Sequence, residues 1–184
     1  MELKQAITGR RSIRKYKATP VTQEQVMTVL EAARQAPSWA NTQCCSFVVV
    51  RDSQIKNQLA ETLAPKNPAT DAVKTAPVVI VACAEVGTSG YKRGEPQTDK
   101  GDYWYMFDMG LALQNLTLAA YELGLGTVHV GLFDAQKAAQ VMGVPKGIAV
   151  VELMPLGYPD EQPAARPRKE LAGMVFYEKY GQTQ

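Results

Sequence analysis

The amino-acid sequence predicts one α+β domain, with a central sheet of four or five strands covered by helices. Three observations carry this. The chain has 184 residues, of which 46% are apolar, the size of one globular domain with material for a sizeable core. Segments with apolar residues at helical spacing alternate with short β-branched runs. These follow one another without a regular strand–helix–strand rhythm, and no internal repeat or long low-complexity segment breaks them up.

The elements follow in order. Residues 2–8 read as a short helix ended by Gly9. Thr22 opens a second helix. Gln25 completes its capping box, and Val26, Val29, Leu30, Ala33 and Ala36 recur at helical spacing. Pro37 lies just beyond, and residues 37–43 (PSWANTQ) read as a loop. Residues 46–50 (SFVVV) form a strand. Asp52 caps a third helix carrying Ile55, Leu59 and Leu63. Residues 77–84 (PVVIVACA) form a fully buried strand. Residues 85–101 are rich in glycine, charge and turn formers, and read as a mobile surface loop or lid. A long helix covers about 102–123. It is apolar on most sides and is therefore expected to be buried against more than one neighbour. Asp134 caps a helix reaching about Met142, residues 148–157 form a third strong strand, and 158–184 is an extended C-terminal segment.

Charge and composition exclude several function classes. Net charge is +2, from 20 basic and 18 acidic residues, too balanced for a chain whose whole surface grips nucleic acid. No apolar run is long enough to span a membrane, and the N-terminus lacks a signal-peptide core. Cys44, Cys45 and Cys83 show no Cys-x-x-Cys spacing, so neither a zinc site nor a thioredoxin motif is expected. Reduced, mostly buried thiols fit a reducing compartment, and the expected location is the cytoplasm. The single histidine, His129, is flanked by valines and reads as packed or backbone-bonded; no Gly-x-Ser-x-Gly elbow accompanies it. The Gly-x-Gly of residues 124–126 follows a helix, so it is not a dinucleotide fingerprint. An enzyme built from this chain would rely on a cofactor for its hard chemistry.

Three polar segments remain. Residues 10–17 (RRSIRKYK) place five positive charges in eight residues; arginine forks suit phosphate oxygens, and Ser12 adds a donor. Residues 37–43 offer Ser38, Asn41, Thr42 and Gln43, short polar arms suited to a heterocycle edge or a sugar-like chain. Residues 163–169 carry Arg166 and Arg168 in a proline-stiffened stretch. Taken singly, each has an ordinary reading: a solvated basic face, a capping turn, a solvated tail.

Together, and in this order, the segments resemble one family. RRSIRKY, then APSWANTQ, then LAAYELGLGTVHVGLFD after a long helix, then MPLGYPDEQPAARPRK are similar to the FMN-dependent nitroreductases, from about residue 5 to residue 178. The resemblance implies a nitroreductase-like fold with a mixed, mostly antiparallel sheet. It also implies an intertwined homodimer with FMN at the interface, and a single FMN-binding domain over 1–184.

Carried over by position, Arg10, Arg11, Ser12 and Arg14 match the segment that binds the FMN phosphate and ribityl chain. Pro37, Ser38, Trp39 and Asn41 match the wall supplied by the other subunit. Gly131 and Leu132 match the backbone near the reactive flavin nitrogen, Arg166 and Arg168 the pair that closes over the phosphate, and Asn67 a polar flavin contact of some relatives. Trp39 stands where the family usually has a small residue, and Cys44–Cys45 where it usually has Pro-Trp. NADH or NADPH is the implied electron donor. A nitroaromatic, quinone or similar small electrophile is the implied acceptor, taking its turn after the nicotinamide leaves.

No catalytic side chain and no metal are expected. Trp104 or Tyr105, from the aromatic cluster after the lid, is expected to border the acceptor pocket. Other reactions on the same fold remain open: enal or enone reduction, reductive dehalogenation, flavin breakdown. So does a non-enzymatic module that binds an anion or nucleic acid.

Overall fold

The computed structural model describes residues 1–183. In chain order the elements are α1 (Leu3–Gly9), α2 (Gln23–Arg34), β1 (Cys45–Val50), α3 (Ser53–Glu61), α4 (Thr70–Thr75), β2 (Val78–Glu85), β3 (Tyr91–Lys92), β4 (Glu95–Pro96), α5 (Trp104–Glu122), β5 (Gly126–Thr127), α6 (Ala135–Met142) and β6 (Ile148–Gly157). Local chemistry starts the helices as the sequence indicates. Thr22 and Gln25 form the reciprocal capping box of α2, Asp52 accepts from the Ile55 N–H, and Asp134 accepts from the Lys137 N–H; each satisfies a helix-end donor left without a helical partner.

The sheet has four strands in the order β1-β2-β6-β5, all antiparallel. Ser12 makes an isolated parallel bridge to Thr127 at the β5 edge. β2 is central, and Val78 to Ala84 are buried on both faces, hence its unbroken apolar run. One face of the sheet (Val78, Ile80, Ala82, Met154, Leu156) packs against α2 and α5. The other (Val79, Val81, Cys83, Leu153) packs against α3, α4 and α6. β1 forms one edge.

The structure corrects one expectation, for His129, and adds detail to two. Helix α5 packs against α1, α2 and the sheet, the several neighbours its apolar girth predicts, and buries Met109, Leu113, Leu116 and Ala120, while Met106 and Phe107 at its start stay exposed, Phe107 at 57%. Within the 85–101 surface loop, β3 and β4 pair as a short hairpin. His129 is neither packed away nor backbone-bonded. Its side chain is 40% exposed, with Nδ1 2.6 Å from Glu152 Oε1 and Nε2 3.4 Å from Thr117 Oγ1. It lies between buried Val128 and Val130, on the opposite side of an extended edge segment.

Candidate cofactor site

The basic segment leaves α1 under tight control. Arg11 Nη1 donates to the carbonyls of Thr8 at 2.7 Å, Gly9 at 3.0 Å and Arg10 at 2.8 Å, closing a helix end whose carbonyls lack helical donors. The Ile13 N–H then donates to Thr127 O at 2.9 Å, and its buried side chain lies over Gly126. With Ile13 turned inward, Ser12 and Arg14 face the other way. Tyr16 Oη donates to Ile13 O at 2.6 Å, and burial pushes the Tyr16 phenol well above its ordinary range. The C-terminal segment returns here. Glu161 Oε1 accepts from the N–H of Arg14 at 2.5 Å and of Lys15 at 3.2 Å, and the Asp160 N–H donates to Lys15 O at 2.9 Å.

The result is a cleft of about 690 Å³ lined by Arg10, Arg11, Ser12, Arg14, Arg166 and Arg168. Residues from the two ends of the chain thus meet in one place. None of these arginines forms an ion pair among the described residues. Nε of Arg10 and Nε of Arg14 are buried without a hydrogen-bond partner. Burial, and then the like charges of Arg168 and Arg11, push the Arg10 pKa down. Crowded cations with orphaned donors are costly unless an anion completes them.

The 37–43 loop lies elsewhere. Pro37 and Ser38 line a second, largely apolar cleft of about 710 Å³ with Met27, Leu30, Cys45 and Phe47. Both carboxylate oxygens of Asp108 lie 3.1 Å from the Trp39 nitrogen, which donates to them. The Gln43 N–H donates to Ser38 Oγ at 2.9 Å. Ala40, Asn41 and Gln43 have positive φ, at 47°, 57° and 52°, a left-handed conformation that costs energy for residues with a Cβ. One chain therefore does not bring Pro37 and Ser38 into the basic cleft.

Gly131 and Leu132 are exposed on the edge segment that continues β5. Asn67 Nδ2 donates to Leu132 O at 3.0 Å and Asn67 Oδ1 accepts from the Ala69 N–H at 2.9 Å, so Asn67 lies beside Leu132. Thr127 touches Ser12, and Gly131 is four residues further along. At about 3.3 Å per extended residue that is on the order of 13 Å, a span an extended mononucleotide can bridge.

Trp104 Nε1 donates to Thr98 Oγ1 at 2.6 Å, and its ring meets Phe107 edge-on at 5.4 Å and underlies Gly90. Tyr105 packs half-buried against the α2–α5 core. Trp104 thus holds the base of the 85–101 loop, and Tyr105 turns toward the core. Two residues escaped sequence reading. Asp108 had a signal, a lone carboxylate in the apolar start of α5; Glu161 had none.

The sequence profile of the Nitroreductase family matches residues 7–74 and 62–158. The chain belongs to the Nitroreductase family. This nitroreductase-family chain is 33% identical over 180 residues to the NADPH-flavin oxidoreductase of Vibrio harveyi, covering 96% of this chain and 73% of that protein. It is 30% identical over 189 residues to the FMN reductase (NAD(P)H) of Bacillus subtilis strain 168, covering 97% and 74%. Among solved structures, the NADPH:FMN oxidoreductase from Vibrio harveyi complexed with NAD+ superposes with a TM-score of 0.83 at 32% identity, over 98% of this chain and 78% of that one. A nitroreductase family protein from Clostridium novyi NT gives 0.78 at 29% identity, over 100% and 97%.

Proposed function

We infer that this protein is an FMN-dependent oxidoreductase that passes hydride from NADH or NADPH, through its flavin, to a small electrophilic acceptor such as a nitroaromatic or a quinone. The observation that carries this is the cleft in which Arg10, Arg11, Arg14, Arg166 and Arg168 converge with none of their guanidinium groups in an ion pair among the described residues. A phosphate monoester, with close to two negative charges at neutral pH, fits it, and the orphaned Nε atoms of Arg10 and Arg14 are the donors such a ligand would satisfy. The residues present therefore fit FMN.

Bound FMN would supply the hydride chemistry. The chain's residues bind and orient. Arg10, Arg14 and Arg168 would hold the phosphate, with Ser12 beside them and Arg166 closing from the C-terminal side. The Thr127–Leu132 edge would carry the ring, and exposed Gly131 would leave its reactive edge open. No acid or base is asked of a side chain, which suits a chain with a single histidine.

A homodimer completes the reading. Pro37 and Ser38 lie outside the basic cleft of their own chain, as expected if Pro37, Ser38, Trp39 and Asn41 wall the partner's flavin. Among the described residues, the segment 158–183 has, beyond a single 3-10 turn at Leu171–Gly173, little regular structure, and it exposes apolar side chains, Leu171 at 72% and Tyr180 at 93%. We place its cover on the second subunit. No helix among the described residues is long and apolar enough to cross a membrane; the proposed location is the cytoplasm.

The test is direct. Purified protein should be yellow, or become so with added FMN, and NADH or NADPH should bleach the flavin absorbance until an acceptor restores it. Protein that stays colourless and takes up no FMN would refute the reading.

A further inference from the structure

Asp108 is a buried carboxylate that the arginine cleft does not use. It is 2% exposed on α5 and forms no ion pair among the described residues. Such a group is expensive unless donors surround it. Its donors are the Trp39 N–H at 3.1 Å, the Ser89 hydroxyl at 2.6 Å and the Cys44 thiol at 3.7 Å. Each comes from a different segment: the 37–43 loop, the 85–101 loop, and the approach to β1.

We propose that Asp108 is a positioning residue that couples the 85–101 loop to the 37–43 flavin wall, so that changes at the root of the first alter FMN affinity at the second. The inference rests on reading the 37–43 loop as a wall of the flavin site. The wall is strained at Ala40, Asn41 and Gln43, and such backbone persists only where its surroundings over-determine it. The bonds from Asn41 N to Ser38 O, Thr42 N to Trp39 O, and Gln43 N to Ser38 Oγ close within the loop. The bond from Trp39 N to Asp108 ties the loop to the rigid helix. Oδ2 of that same carboxylate takes the Ser89 hydroxyl. Ser89 is itself buried, so it forms the root of the 85–101 loop rather than its tip. Donors sharing one acceptor polarise and position one another; removing the shortest bond frees the carboxylate to turn and loosens its hold on Trp39.

The test is a double-mutant cycle on the full-length protein, with Ser89→Ala, Asp108→Asn and their combination. It is read by FMN affinity from quenching of flavin fluorescence and by KM and kcat for an acceptor. Asp108→Asn should weaken FMN binding about tenfold, the scale of one lost charged hydrogen bond. Ser89→Ala should weaken it a few-fold and raise acceptor KM more than it lowers kcat. In the Asp108→Asn background the Ser89→Ala effect on FMN affinity should vanish, because the coupling runs through the carboxylate. A purely structural Asp108 would lower the melting temperature without that non-additivity. Equal FMN affinities in wild type and Ser89→Ala, or a Ser89→Ala effect undiminished in Asp108→Asn, overturn the proposal. If Asp108→Asn fails to fold, the comparison of wild type with Ser89→Ala decides alone. Wild-type protein that binds no FMN overturns the underlying reading, and the inference with it.

Discussion

Arg10 and Arg168, from opposite ends of the chain, face each other closely enough that the second adds to burial in lowering the pKa of the first. Neither guanidinium group is in an ion pair among the described residues, so the apoprotein bears repulsion that a bound phosphate would reverse. Arg10→Ala or Arg14→Ala should weaken FMN binding about ten- to a hundredfold, the equivalent of one strong charge-assisted contact. Lys17→Ala should leave it unchanged, since Lys17 is exposed outside the cleft. Arg168→Ala should lower the melting temperature of the FMN-loaded protein but not that of the apoprotein. Flavin titration and thermal scans with and without FMN check this; equal losses for all four variants would contradict the site.

Gly126 controls where the basic segment sits. A Cβ at this position would lie 2.6 Å from Ile13 Cγ1 and 2.8 Å from Ile13 Cβ, closer than carbon atoms approach. Ile13 is one residue from Ser12 and Arg14, so relief must move the cleft wall. Gly126→Ala should cost about 1–3 kcal/mol of stability through overpacking and weaken FMN binding as well. Urea unfolding combined with flavin titration separates the two effects. A variant that is destabilised yet binds FMN normally would show the wall to be independent of β5.

Much of this was legible in the sequence, because much of it is local. The capping box of Thr22 and Gln25, the caps at Asp52 and Asp134, and the unbroken apolar run of β2 are each written within a few residues. The convergence of residues 10–14 with Arg166 and Arg168 is non-local, and only the order of motifs shared with a family exposed it. The roles of Asp108 and Trp104 were hidden for a different reason. Each depends on a partner in another segment, Trp39 and Ser89 for one and Thr98 for the other, and no periodicity encodes such a pairing. His129 misled because flanking valines signal a strand but not which side the intervening residue takes.

Trp104 should act on acceptor choice through the loop it anchors. Trp104→Ala removes the bond to Thr98 and the surface under Gly90, where a Cβ would already come within 2.3 Å of the Trp104 ring. The 85–101 loop should then be cut faster by a protease, and acceptor KM values should rise while FMN affinity changes less. Substituting both Trp104 and Tyr105 by alanine with no change in KM across several acceptors would remove this loop from acceptor selection.

Lys56 should make stability depend on pH in a defined direction. It is buried, and its ammonium donates to the Ala76 carbonyl at the end of α4 at 2.7 Å. Burial lowers its pKa, with Asp52 opposing. The folded value therefore lies below the unfolded one, so between the two the unfolded chain binds more protons and stability rises with pH. Below the folded value the contribution is flat and unfavourable. Compared with Lys56→Met, the wild type should gain stability as pH climbs toward about 10.5, near the unfolded lysine pKa. Chemical unfolding of both proteins across the alkaline range checks it, and parallel curves would show that Lys56 escapes its burial.

The C-terminal segment offers a test of the shared site. Ending the chain after Lys169 keeps Arg166 and Arg168 but removes Leu171, Met174, Val175, Tyr177 and Tyr180, all exposed within one chain to 36% or more. A monomer that needs no partner has no use for these side chains, and their loss should then be nearly neutral. If they cover a second subunit, the shortened protein should run as a monomer or a weaker dimer in sedimentation, with dissociation now visible at micromolar protein. Its FMN affinity should fall in step with dimer content, although every arginine of the cleft is intact, because the Pro37–Asn41 wall comes from the partner. A shortened protein that stays dimeric and holds FMN at full affinity would assign the interface to the exposed face of α5 at Met106 and Phe107 instead.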